Sequence, residues 1–301
     1  MKDTKILVVT HKAFDSSIIP DCYQVICVGN NSLIESDNLH YITDNTGDNI
    51  AAENPYYCEL TAQYWGWKNL SDDIKYIGIS HYRRYFFSYK HNSKSFKEDI
   101  IDEKRIKDIL AKHKVIMSFP TIKYPGYGSL YKKMEPGKQD LHWIIIQEII
   151  KSDYKEFEEE FNKIMYGHIT TWGNMLITTR EIYNEYCAWI FEILNKYDNE
   201  IRNRGLNRIP RVDGFLSEYL LLVWMHHRFK KNEIYYLEVR NTETDSFSEY
   251  GDGLSNRIIR FIRCNRPLLV LARYSRMFFL FFKRFDKNRI AFLRGDMSNE
   301  R

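Results

Sequence analysis

The stretch YIGISHYRRYF, residues 76–86, decides how this chain is read. Tyr76, Ile77, Gly78 and Ile79 make an apolar run of the kind found in strands buried on both faces, and such strands belong to sheets covered by helices. The run then ends in His81, Tyr82, Arg83 and Arg84. In open α/β sheets ligands sit off the carboxyl ends of strands. A guanidinium is a planar, permanently charged fork that matches phosphate oxygens. The bland reading is a set of solvated cations at an exposed strand end. The apolar run before them and the acid-poor stretch after them favour an anion site.

Outward from this stretch, strands alternate with helices. KILVVT (5–10), YQVICV (23–28), residues 40–43, KVIMSFP (114–120), GNMLIT (173–178) and IYYLEV (234–239) read as strands. Asn54 reads as an N-cap with Pro55 at the first helical position; Tyr57, Leu60, Tyr64 and Trp67 follow at helical spacing to about Leu70. Further helices are predicted over 103–113, 141–164 and 214–229. Another opens at Thr178, where Glu181 three positions on completes a capping box, and it carries Ile182, Tyr186, Trp189 and Ile193. Residues 121–140 lack periodicity and read as a long loop. The alternation predicts an α/β fold, a sheet flanked by helices.

At 301 residues the chain can bury one large core plus an appendage. Its 44% hydrophobic and 28% charged residues are ordinary for a soluble globular protein. The 22 Tyr and 18 Phe suit aromatic-lined pockets, sugar stacking, membrane interfaces or simply core. The five cysteines show no CxxC pair and no zinc spacing, which predicts free thiols in a reducing compartment. Before His11 the apolar run is too short for a signal peptide, so a non-secreted protein is expected.

The net charge of +4 conceals an asymmetry: from Asn256 to Arg294 there are eleven Lys or Arg against one acid, Asp286. The rest of the chain is therefore net acidic, which argues against nucleic acid as a partner. The tail interleaves Arg with Ile, Leu and Phe. Its apolar centre, Pro267 to Phe282, contains Arg273 and Arg276 and is too short and too charged to span a bilayer. Such a pattern fits a helix lying on an anionic membrane surface, with a packed terminal helix as the alternative.

Other candidates are weaker. The turn Asp44-Asn45-Thr46-Gly47-Asp48-Asn49 offers small polar residues and a glycine that bring backbone amides near a ligand, and it serves equally as a plain turn. Trp172 suits stacking on a sugar or base, or a core; Asp213 and Glu218 are candidate general bases, or exposed helix acids. His226 and His227 are adjacent on a helix, about 100° apart, and do not chelate one metal together. There is no GxGxxG, GxxxxGK[ST], HExxH or GxSxG, and no DxD follows an apolar strand.

Together DNTGDNI…NPYYCELTAQYWGWKNL, YIGISHYRRYF, WGNMLITTREIYNEYCAWIFEIL and GFLSEYLL resemble the bacterial glycosyltransferases of capsular and exopolysaccharide loci filed as domain of unknown function 4422. The likeness runs from Lys5 to about Phe229. It implies a GT-A-like, mostly parallel sheet in residues 1–240; beyond it, the charge pattern sets apart the basic amphipathic tail, residues 241–301. It also implies transfer of a sugar from a nucleotide sugar, UDP-linked, to a polyprenyl-diphosphate-linked glycan, by an enzyme resting on the cytoplasmic face of the membrane.

Carried over, the pattern marks Thr10, His11, Asp44, Asn45, Gly47, Asp48, Asn49, Glu59 and Asn174 at the nucleotide sugar, to which Trp172 is added as a stacking residue. It marks His81, Arg83, Arg84 and Glu218 as well, and Asp213 ranks second to Glu218 as base. Where the family has Glu-Arg-Leu this chain has Glu218-Tyr219-Leu220. The two arginines are expected to stabilise the departing diphosphate, with His81 as hydrogen-bond donor or minor metal ligand. No metal site is assigned, and a divalent cation (Mg or Mn) is left open as cofactor. A nucleotide-sugar-binding protein without catalysis is the alternative.

Overall fold

The structure, a computed structural model, describes residues 3–29, 41–88, 96–118, 121–122, 139–165, 169–171 and 173–243. Trp172, the basic tail and nearly all of the 121–140 loop lie outside the described residues. In chain order the strands are β1 (Thr4–Thr10), β2 (Tyr23–Cys27), β3 (Ile42–Thr43), β4 (Tyr76–His81), β5 (Arg84–Phe87), β6 (Val115–Ser118), β7 (Thr121–Ile122), β8 (Ile169–Thr170), β9 (Leu176–Thr179) and β10 (Ile234–Asn241). The α-helices are α1 (Asn54–Tyr57), α2 (Leu60–Asn69), α3 (Phe96–Asp99), α4 (Glu103–Leu110), α5 (Gln139–Asp153), α6 (Glu158–Met165), α7 (Arg180–Asn203) and α8 (Val212–Arg228).

The main sheet has eight strands in the order β3–β2–β1–β4–β5–β10–β6–β9, with β9 pairing back onto β4. It is mixed, where a mostly parallel sheet was expected. β3, β2, β1 and β4 run parallel, as do β10 and β6, but β5 and β9 are antiparallel to every strand they touch. The opening stretch accounts for one reversal. His81 pairs with Arg84, so the chain turns through Tyr82 and Arg83 straight into β5. A link that short closes only an antiparallel hairpin. Gly78 accounts for the closeness of the other: a Cβ there would lie 2.6 Å from Ile177 Cγ1 and 2.8 Å from the Leu176 carbonyl oxygen. β1 is the spine, with Ile6 beside Tyr23 on one side and Gly78 on the other. Six of its seven residues are buried, as its unbroken apolar run requires.

The helices differ from the periodic reading where the backbone breaks. The predicted 54–70 helix is two: Asn54 opens α1 with Glu53 as its cap, and Cys58, at φ 53°, turns the chain before α2. The predicted 141–164 helix likewise divides at Tyr154 into α5 and α6. The capping box fails because Thr178 stays in the sheet, its hydroxyl donating to the Lys114 carbonyl, while Thr179 takes the cap of α7. The aromatic surplus fills the core: Tyr85, Tyr183, Tyr186, Tyr197 and Tyr219 are among the largest fully buried side chains. Phe191 of α7 stacks on Trp67 and meets Tyr64 edge-on, which joins α7 to α2. Among the described residues no helix is long and apolar enough to cross a membrane.

Candidate functional site

The carboxyl end of β4 meets the turn before β9 and the buried face of α8. Gly173 is at the centre. Its φ of 63° suits a residue without a side chain, and the space a Cβ would take lies 2.8 Å from His81 Nε2 and 3.6 Å from Arg84 Nη1. Its N–H donates to Glu218 Oε1 at 2.7 Å. The next residue, Asn174, is fully buried and donates from Nδ2 to Glu59 Oε1 at 2.8 Å and to the Gly214 carbonyl at 3.3 Å. Elements far apart in sequence thus bring His81, Arg84, Glu59, Asn174 and Glu218 around one tight turn.

The electrostatics of the group are legible. His81 Nε2 is sealed from solvent without a hydrogen-bond partner. Burial pushes the His81 pKa down, the negative charge of Glu59 opposes this, and the Arg84 and Arg83 guanidiniums lower it further. At neutral pH the ring is therefore an uncharged imidazole. Glu218 is 8% exposed and held by a backbone amide, in contrast to the exposed helix acid that composition alone suggests.

The two arginines of the opening stretch part company. Arg84 faces the Gly173 turn. Arg83 lies over the Tyr82 ring and pairs with Glu243 at 3.1 Å, its side chain 38% exposed. Lys12 shares the same carboxylate at 2.9 Å and the same ring. His11 stands edge-on to Tyr82, its pKa lowered first by burial and then by Lys12, Arg83 and Arg211. These residues form a basic rim in which Lys12 and Arg211 were not picked out from the sequence. Thr10 supports it from below: its hydroxyl donates to the Lys12 carbonyl at 2.5 Å and accepts from the Lys12 amide at 3.2 Å.

Asp44 and the turn after it separate. Asp44 is wholly buried at the end of β3, and burial raises its pKa, opposed by the Thr61 hydroxyl and by the Gly29 and Asp44 amides. Gly29, at φ 74°, is needed there because a Cβ would press on Asn54 Oδ1 at 2.9 Å. Asn45, Gly47, Asp48 and Asn49 are exposed. They are docked on α2: Asn69 accepts from the Asp48 amide and donates to its carbonyl, Trp65 donates to Thr46, and Tyr64 donates to Asp48. That accounts for most of the turn as local structure.

Asp213 also keeps other company. Its carboxylate pairs with Arg208 at 2.9 Å, and Arg208 further engages Asp198 at 3.0 Å and Glu53. Three carboxylates around one guanidinium cannot all ionise cheaply. Burial, followed by Asp198, raises the Asp213 pKa to about 7. On α8, Asp213 and Glu218 are five residues apart, about 140° around the helix, so they face different partners. His226 sits against Glu160 and Tyr236, and His227 packs on Phe157. Among the described residues no three His, Cys, Asp or Glu are arranged to hold a metal ion.

With this fold and geometry, the chain belongs to the family described as Domain of unknown function (DUF4422), which matches residues 5–231. Among solved structures it is similar to the apo structure of WbbM, a bifunctional glycosyltransferase, with a TM-score of 0.65 at 21% identity. The likeness is one of fold; it covers 80% of this chain and 46% of that one, so the chain spans about half of WbbM. No curated protein matches.

Proposed function

We propose that this chain is a glycosyltransferase of GT-A-like architecture, transferring a sugar from a nucleotide sugar, UDP-linked, to a glycan carried on a polyprenyl diphosphate in capsular or exopolysaccharide assembly. The observation that carries the reading is the convergence of Arg84, His81 and Glu218 on the Gly173 turn, off the carboxyl end of β4, in a fold shared with part of a glycosyltransferase.

In this reading the nucleotide lies along the ends of β1–β3, near Thr10, His11 and Asp44, and its diphosphate reaches Arg84, with Arg83 on the outer rim. Glu218, oriented by the Gly173 amide, takes the proton of the acceptor hydroxyl. The acceptor oxygen then forms its bond to the anomeric carbon as the bond from that carbon to the diphosphate breaks. The electron pair leaves on the diphosphate oxygen, where Arg84 offsets the charge. A charge-assisted donor in such a site contributes about 3 kcal/mol to the transition state. His81, uncharged, has a ring nitrogen to present to the same diphosphate. The displacement as drawn inverts the anomeric centre.

The rival is a protein that binds a nucleotide sugar without turning it over. Incubating the chain with UDP-sugars and a polyprenyl-diphosphate-linked glycan, and assaying released UDP and extended lipid, separates the two. Transfer supports the enzyme; thermal stabilisation by a nucleotide sugar with no turnover supports the binder. We further propose that the tail rests on anionic lipid, from its run of cations among Phe and Leu. Removing residues 256–301 should free the protein from sedimenting anionic vesicles; unchanged sedimentation removes that role.

A further inference from the structure

Glu59 follows a strained residue. Cys58 adopts φ 53° and ψ −126°, a conformation that costs a side-chain-bearing residue about 1 kcal/mol or more. A straight continuation of α1 into α2 would avoid that cost. What the kink achieves is the placement of Glu59, whose Oε1 receives the Asn174 amide group at 2.8 Å from 115 residues away. The Asn174 backbone N–H points to the same oxygen at 3.5 Å. Asn174 in turn donates to the Gly214 carbonyl, at the start of the helix that bears Glu218.

The Gly173–Asn174 pair is therefore gripped on both sides. Glu59 holds Asn174, and Gly173, itself left-handed at φ 63°, holds Glu218 through its N–H at 2.7 Å. Two left-handed turns, far apart in the chain, are joined by the hydrogen bonds that Asn174 donates to the Glu59 carboxylate. A carboxylate in the place of a neutral acceptor makes that bond charge-assisted and shorter-ranged in its tolerance.

We propose that Glu59 is a positioning residue of the transfer step: through Asn174 it fixes the Gly173 amide that orients the Glu218 carboxylate. The role rests on Glu218 as the general base of the reading above, and it places Glu59 behind the reacting atoms, where the family likeness had it at the nucleotide sugar.

Steady-state turnover and calorimetric UDP binding of four variants test it. Glu59→Ala should lower kcat by about tenfold or more while the Kd for UDP stays within about twofold. Glu59→Gln, whose amide oxygen accepts the same bond, should recover most of the rate. Asn174→Ala should match Glu59→Ala, and the double variant should be no worse than the poorer single, because both cut one chain of contacts. A fully active Glu59→Ala overturns the proposal. So does a variant that loses UDP affinity at unchanged kcat, which puts Glu59 on the donor, or a Gln variant as slow as Ala. Should the Ala variant fold poorly, Gln recovery and the Asn174 arm decide. A wild-type chain that transfers no sugar removes the functional reading itself; an active wild type with an unaffected Glu59→Ala removes this role alone.

Discussion

One methyl group at Gly173 tests the site most sharply. At φ 63° an alanine costs about 1 kcal/mol of backbone strain. Its Cβ would also stand 2.8 Å from His81 Nε2, a sealed atom on a half-buried residue, so the imidazole must move by several tenths of an ångström. Forcing an extra methyl into such a place costs about 1–3 kcal/mol. Gly173→Ala should thus lose about 2–4 kcal/mol in urea unfolding, which for a domain of this size lowers Tm by about 5–10 °C. Because the Gly173 N–H donates to Glu218, kcat should fall by about a hundredfold. Gly205 is the control. It has φ 64° and nothing within 4 Å of the place its Cβ would take, so Gly205→Ala should lose only the backbone cost of about 1 kcal/mol and keep full activity. If the two alanines behave alike, Gly173 does not pack on His81 and the site as described is wrong.

Two further outcomes are expected. Arg84→Ala should lower kcat by about a hundredfold, whereas Arg83→Ala, whose exposed guanidinium is already paired with Glu243, should raise the donor KM a few-fold at nearly unchanged kcat; equal kcat losses would put both arginines on the leaving group. Asp213 has a folded pKa of about 7, above its unfolded value, so its contribution to stability is complete below about pH 4 and is lost as pH rises through about 7. Asp213→Asn should therefore flatten the pH dependence of the unfolding midpoint between pH 4 and 7; an unchanged slope would mean that Asp213 titrates normally.

The sheet's spine and the helix over 212–228 were legible because their apolar patterns are long and local. The reversal into β5 was not, since Tyr82 and Arg83 carry none of the Gly or Asn that marks a two-residue hairpin. The break at Cys58 leaves no trace either: nothing in the letters NPYYCELT distinguishes a left-handed cysteine from a helical one. His81 and Glu218 could be singled out from the residues themselves, whereas Glu59 and Asn174 were marked by family likeness. Their convergence depends on contacts 45 and 115 residues apart, which periodicity does not encode. Gly173 had a visible signal, a Gly-Asn pair before an apolar strand, but its partner on β4 came only with the fold. Asp213 and Glu218 look alike as helix acids and both are buried; Arg208 beside Asp213 and the Gly173 amide on Glu218 set them apart.

In the proposed transfer Glu218, poised by the Gly173 amide, takes the acceptor proton. Comparing wild type with Glu218→Gln for UDP release in the presence of acceptor, alongside calorimetric UDP affinity, measures that claim. A loss in kcat of about a hundredfold or more at unchanged UDP affinity is predicted. A glutamine variant that turns over at the wild-type rate would contradict it.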